Sequence, residues 1–134
     1  MVNDSIYRSR ITDLLDSRSI AYRILPHDKP VYTVAEAARQ RDVVMQEMVK
    51  SILLCDAGGR YVLACVRGDR RVDLRALRSY LGDGWRRLHF AGAAEILSVT
   101  GSPQGAVAPV GLSDDVPVIF DQDIAACHRV NISS

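Results

Sequence analysis

Two aliphatic runs dominate the hydrophobic pattern of the chain. Val49 to Asp56 and Arg60 to Arg67 are rich in branched and aliphatic residues, with Ala57-Gly58-Gly59 between them. Such a pair predicts an antiparallel hairpin. With Gly58-Gly59 as a two-residue turn, Cys55 would lie opposite Val62 and Cys65 would point to the other face, so these thiols would not meet. Upstream, Tyr7, Ile11, Leu14, Leu15 and Arg18 recur at helical spacing, which predicts an amphipathic helix from about Ser5 to Ser17. Ile20 to Leu25 predicts a short strand ending at Pro26-His27-Asp28. Thr33-Val34-Ala35-Glu36 has the form of a capping box, opening a short helix that carries Ala37 and Ala38.

Beyond the hairpin, Asp73 can cap a helix with Leu74, Leu77 and Leu81 on one face and Gly82 at its end; Arg71, Arg75 and Arg78 form a stripe beside that face. A further short helix is expected from Ala91 to Leu97. Val116 to Phe120 reads as a strand whose Pro117 requires an edge or strand-start position. Ala125 to Ile132 reads as one more strand. Interleaved helices and strands around an antiparallel pair predict an α/β (α+β) fold, with a mixed, largely antiparallel central sheet surrounded by short helices. At 134 residues the chain fits a single domain spanning 1–134.

Composition narrows the function classes. Apolar residues make up 48% and charged residues 25%, as in soluble globular proteins. No apolar run reaches membrane-spanning length, and Met1-Val2-Asn3-Asp4-Ser5 lacks the order of a secretory signal, so a cytoplasmic location without membrane association is expected. Three cysteines without ligand spacing exclude a disulfide framework and argue against a metal site. A net charge of +1 excludes a uniform electrostatic grip on nucleic acid, but residues 67–87 hold seven arginines against three aspartates. That local excess can dock a phosphate backbone, or can simply be a solvated helix face.

The candidate chemistry starts at Lys50. The chain has fifteen arginines and two lysines, and Lys50 is set into the apolar run Met48-Val49-Lys50-Ser51-Ile52-Leu53-Leu54-Cys55. An ammonium there is costly to desolvate unless it is paired or used; the plain alternative is a buried stem with its amine in water. A second stretch, Thr100-Gly101-Ser102-Pro103-Gln104-Gly105-Ala106-Val107-Ala108-Pro109-Val110-Gly111, has glycines and prolines spaced for an exposed backbone turn. Glycine lets a ligand approach the backbone, and backbone amides suit a developing oxyanion.

Several segments in order resemble one family. They are His27 to Glu36 (HDKPVYTVAE), Val49-Lys50-Ser51-Ile52-Leu53, Gly68-Asp69-Arg70-Arg71-Val72-Asp73-Leu74, and Thr100-Gly101 through Pro109-Val110-Gly111. Together they are similar to the YbaK/ProX aminoacyl-tRNA deacylases and to the editing domain inserted in many bacterial prolyl-tRNA synthetases. The resemblance implies hydrolysis of the ester of a mischarged aminoacyl-tRNA, in trans to the synthetase, with no cofactor and no metal. Its partners would be the acceptor end of aminoacyl-tRNA and an aminoacyl-tRNA synthetase.

In that picture Lys50 and Gly101 are catalytic, Lys50 anchoring the terminal adenosine phosphate or the acyl carbonyl. Ser51, Thr100, Gly105, His27, Asn131 and Ser133 would contact substrate. Thr100 can equally be a turn residue, Ser51 a plain strand serine and His27 a surface histidine. The family continues past the strand that Arg129 to Ser133 resembles, so the resemblance implies either a domain cut at its C-terminus or one without part of its pocket wall. A different class of reading, a non-catalytic aminoacyl- or nucleotide-binding regulatory module, uses the same pocket; a third gives both stretches structural roles alone.

Overall fold

A computed structural model describes residues 9–25, 34–41 and 43–133. The hairpin forms as its pattern requires: β1 (Val49–Cys55) pairs antiparallel with β2 (Tyr61–Arg67). Its register differs from the two-residue turn. The buried Asp56 carboxylate accepts the amides of Gly58 at 3.0 Å and Arg60 at 2.8 Å, and the Asp56 amide bonds the Arg60 carbonyl. The connection therefore spans Asp56 to Arg60, and Cys55 pairs with Tyr61 rather than Val62. The Arg60 guanidinium closes the connection, reaching Asp56 at 3.1 Å and lying 4.1 Å over the Trp85 ring.

This register puts Cys55 and Cys65 on the same face, correcting the sequence expectation. They still do not meet, because Cys65 pairs with Ser51, four residues along the strand from Cys55. At about 3.3 Å per residue that is roughly 13 Å. All three thiols are free, and burial pushes Cys65 up to about 11 and Cys55 upwards as well. Only Cys127, which is half-buried, should react with a thiol reagent in the native protein, the other two becoming reactive on denaturation. Rapid labelling of two native thiols would contradict the packing.

The sheet has the order β3-β1-β2-β4, with β3 (His89–Phe90) antiparallel to β1 and β4 (Val118–Phe120) parallel to β2. It is thus mixed and largely antiparallel. Pro117 sits beside the edge strand β4, where its missing amide costs nothing, while its carbonyl accepts from Leu63.

Strand alternation divides the side chains between two faces. On the first, Leu53, Leu63 and Cys65 are buried against Ile96 of α4 (Ala93–Thr100), Val107, Val116 and Ile124 of α5 (Gln122–Ala125). On the second, Leu54, Val62 and Ala64 are buried against Leu77 of α3 (Leu74–Leu81). Asp73 caps α3 and Gly82 ends it, as the pattern predicts.

Other expectations shift. The first helix, α1, runs Arg10–Ser17, because Ser9 is extended and its hydroxyl accepts the Thr12 amide as an N-cap. Ile20 to Leu25 forms no strand: it pairs with none of the four strands, and Ile20 is 46% exposed. The second helix, α2 (Val34–Arg41), buries Ala37 and Ala38 against Met48, while Thr33 of the capping box lies outside the described residues. Ala125 to Ile132 contributes only a single parallel bridge, Asn131 to Met48, since α5 and the turn at Cys127 occupy its first half.

Candidate functional site

Lys50 is the second residue of β1 and stands on the second face, opposite Val66. Its ammonium donates to the carbonyl of Arg70. That carbonyl belongs to a turn tied back to the start of the strand. The Gly68 amide bonds the Met48 carbonyl at 2.8 Å, Arg70 closes onto the Arg67 carbonyl, and Arg67 grips Asp69 through two bonds of 2.8 and 2.9 Å. Gly68 is required by space. A Cβ there would stand 2.5 Å from the Met45 carbonyl oxygen and 2.9 Å from both Met48 Cβ and Val34 Cγ1. Partial burial lowers the Lys50 pKa below the ordinary lysine value, and Arg71 lowers it further against the opposing pull of Asp69.

Asn131 lies beside the same strand end. Its carbonyl accepts the Val49 amide, its amide donates to Glu47, and its side-chain oxygen accepts from Arg41. Arg41, whose guanidinium is pushed below its usual value by burial, was not singled out by the sequence; only the fold brings it to Asn131. Ser133 is half-buried two residues further on, and His27 lies outside the described residues.

The glycine loop begins on the other face. Ser51 points there, its hydroxyl 3.8 Å from the Cys65 thiol, on the face away from Lys50. Thr100 is 2% exposed; its hydroxyl donates to the Ile96 carbonyl at 2.7 Å and accepts the Ser102 amide at 3.1 Å. Gly101 ends α4 at φ +74°, where its own amide donates to Leu97 at 2.9 Å. That amide is already used. Gly105 differs: it occupies the third position of the turn closed by Ala106 on Pro103, at φ +87°, with open space where a Cβ would be. Among the described residues the amides of Gln104 and Gly105 make no hydrogen bond. Arg10, also missed by the sequence, donates to the Thr100 carbonyl at 3.3 Å and ties α1 to this loop.

The structure thus makes two groups. Lys50, Asn131 and Arg41 gather at the opening end of β1, while Thr100, Gly101 and Gly105 follow α4 on the opposite face. Among the described residues no hydrogen bond or ion pair joins the groups. Packing relates them: Val49, next to Lys50, lies against the same apolar cluster as Val107 of the loop. A shallow depression lined by Ala35, Ala38, Arg39, Val43 and Met45 holds none of these residues. No group of three or more potential metal ligands occurs among the described residues, and none of their helices is long and apolar enough to cross a membrane.

This mixed sheet, with helices on both faces, is the scaffold of a known class, and the sequence agrees: the chain belongs to the aminoacyl-tRNA editing domain family, which it matches over residues 28–134. Among its relatives is the prolyl-tRNA editing protein ProX of Acetoanaerobium sticklandii, 32% identical over 82% of this chain and 68% of that protein. The proline–tRNA ligase of Trichlorobacter lovleyi is 35% identical over 71% of this chain but only 16% of the ligase, so the chain spans about a sixth of that enzyme. Two crystal structures are also similar. One, of a hypothetical protein, superposes with a TM-score of 0.84 at 27% identity, covering 94% of this chain and 82% of the other. The other, of a proposed trans-editing enzyme for prolyl tRNA synthetase, gives 0.72 at 28% identity, covering 88% and 73%.

Proposed function

We propose that this chain is a trans-editing deacylase that hydrolyses the ester of mischarged aminoacyl-tRNA, with Lys50 and the loop beginning at Gly101 as its site. The observation that carries the reading is a partly desolvated ammonium, held by a backbone carbonyl at the open end of a central strand, in a chain of the editing-domain family. The acceptor end of the tRNA crosses the end of the sheet. Its terminal phosphate meets Lys50 on one face, and its acyl group reaches the loop on the other. Water attacks the ester carbonyl, and the Gln104 and Gly105 amides hold the oxyanion that forms. The carbon–oxygen bond to the ribose then breaks; the ribose oxygen takes a proton, releasing the amino acid and intact tRNA. No protein nucleophile is needed. The family and its ProX relative point to tRNA and a synthetase as partners.

A panel of tRNAs, including one for proline, each carrying a small non-cognate amino acid, tests the reading by release of free amino acid. Binding with the ester left intact would overturn hydrolysis in favour of a recognition module. The loop makes a finer prediction. Gly101→Ala and Gly105→Ala both strain a positive-φ position, at about 1–2 kcal/mol each. Only Gly105→Ala should also lower kcat, because the Gly101 amide faces its own helix. Equal kcat losses at equal thermal stability would remove Gly105 from its assigned role.

A further inference from the structure

Lys50 and α3 share the second face of the sheet: Lys50 follows the alternation of Ile52 and Leu54, and Leu77 packs on that same side. β2 ends at Arg67, its following turn supplies the carbonyl that holds Lys50, and α3 begins a few residues later. Arg71, Arg75 and Arg78 are exposed along this path. Arg71 precedes α3, and the three-residue spacing of Arg75 and Arg78 keeps those two on one side of the helix, beside the buried Leu77 and the partly buried Leu74 and Leu81.

The nearby carboxylates do not neutralise them. Asp69 is taken by Arg67, the Asp73 side chain caps α3 through the Ala76 amide, and Asp123 lies 3.9 Å from Arg70. Among the described residues Arg71, Arg75 and Arg78 make no ion pair. A row of uncompensated guanidinium groups leading to a lone ammonium fits a polyanion with regularly placed charges.

We infer that Arg71, Arg75 and Arg78 form a track for the phosphate backbone of the tRNA acceptor stem, delivering its end to Lys50. The inference deepens the proposed function and rests on its reading of tRNA as substrate, but it concerns the stem rather than the ester. Arginine contacts to phosphate carry no base information, so the track supplies affinity independent of stem sequence.

The test compares the parent, the double variant Arg75→Gln/Arg78→Gln, and Arg18→Gln as an exposed control on a different element. Binding of uncharged tRNA is measured against salt. The double variant should bind roughly tenfold more weakly at low salt, with a log–log salt slope shallower by about one per arginine removed. With mischarged tRNA its KM should rise while kcat holds. An aminoacylated CCA trinucleotide, which has no stem, should be cleaved equally by both proteins. A double variant matching the parent and Arg18→Gln in affinity and slope overturns the track. A parent that hydrolyses the ester while the double variant is unchanged refutes the track alone. A parent that binds through these arginines but leaves the ester intact keeps the track and refutes the deacylase.

Discussion

Replacing Lys50 with alanine should lower kcat/KM for ester hydrolysis by about 10- to 100-fold, the loss expected when one charge-assisted contact to a phosphate is removed. The native fold should survive, because the ammonium's partner is the carbonyl of Arg70 in an exposed turn, which water can satisfy after truncation. Arginine should not restore the rate. Its planar fork is longer and cannot occupy the point position of an ammonium. The pH profile supplies an independent check. Activity needs the charged amine, so it should fall as pH rises through a pKa set below the ordinary lysine value by burial and Arg71.

Stability moves the other way over that interval. The unfolded chain keeps this proton to higher pH than the folded one, so this group favours folding increasingly as pH rises. A declining rate there accordingly reports deprotonation and not unfolding. Unaltered clearance of mischarged tRNA by Lys50→Ala, measured as release of labelled amino acid, would remove this residue from the mechanism.

Gly68→Ala should cost about 1–3 kcal/mol or slightly more, as overpacking of a tight contact does. The new methyl would stand 2.5 Å from the Met45 carbonyl oxygen, and that oxygen is itself fixed by the Met48 amide at 3.0 Å. The Met48 and Val34 side chains close the other sides, so relief requires moving the backbone. For a chain of this size a melting temperature lower by roughly 3–12 °C is expected by calorimetry or circular dichroism. Activity should fall too, since the Gly68 amide holds the Arg67–Arg71 turn against Met48 and that turn holds Lys50. A variant melting within a degree of the parent would show that this approach is not tight in solution. A variant that melts lower but hydrolyses normally would separate the turn from the chemistry.

The strong periodic segments were legible before the fold was seen. The hairpin, α3 with its aspartate cap and glycine stop, and the edge position next to Pro117 all follow from local pattern. Other segments were not. Ile20 to Leu25 has strand composition but pairs with none of the four strands, and Ala125 to Ile132 begins in a short helix and turn. The hairpin register turned on Asp56, whose buried carboxylate draws two amides into a longer connection. A glycine pair in a sequence does not reveal that competition.

The candidate site divides the same way. Residue type and setting drew attention to Lys50 and glycine spacing to the loop, while the family resemblance supplied the roles expected of both. The sequence by itself determined the family, the principal elements and which groups have unusual chemistry, because these depend on side-chain type and short-range order. The tertiary structure alone decided that Gly101 uses its amide in closing a helix, that Ser51 faces away from Lys50, and that Arg41 meets Asn131. It also decided that Lys50 shares a face with the arginines of α3. Those relations depend on strand register and on which helix covers which face, and both are settled by packing between residues far apart in the chain.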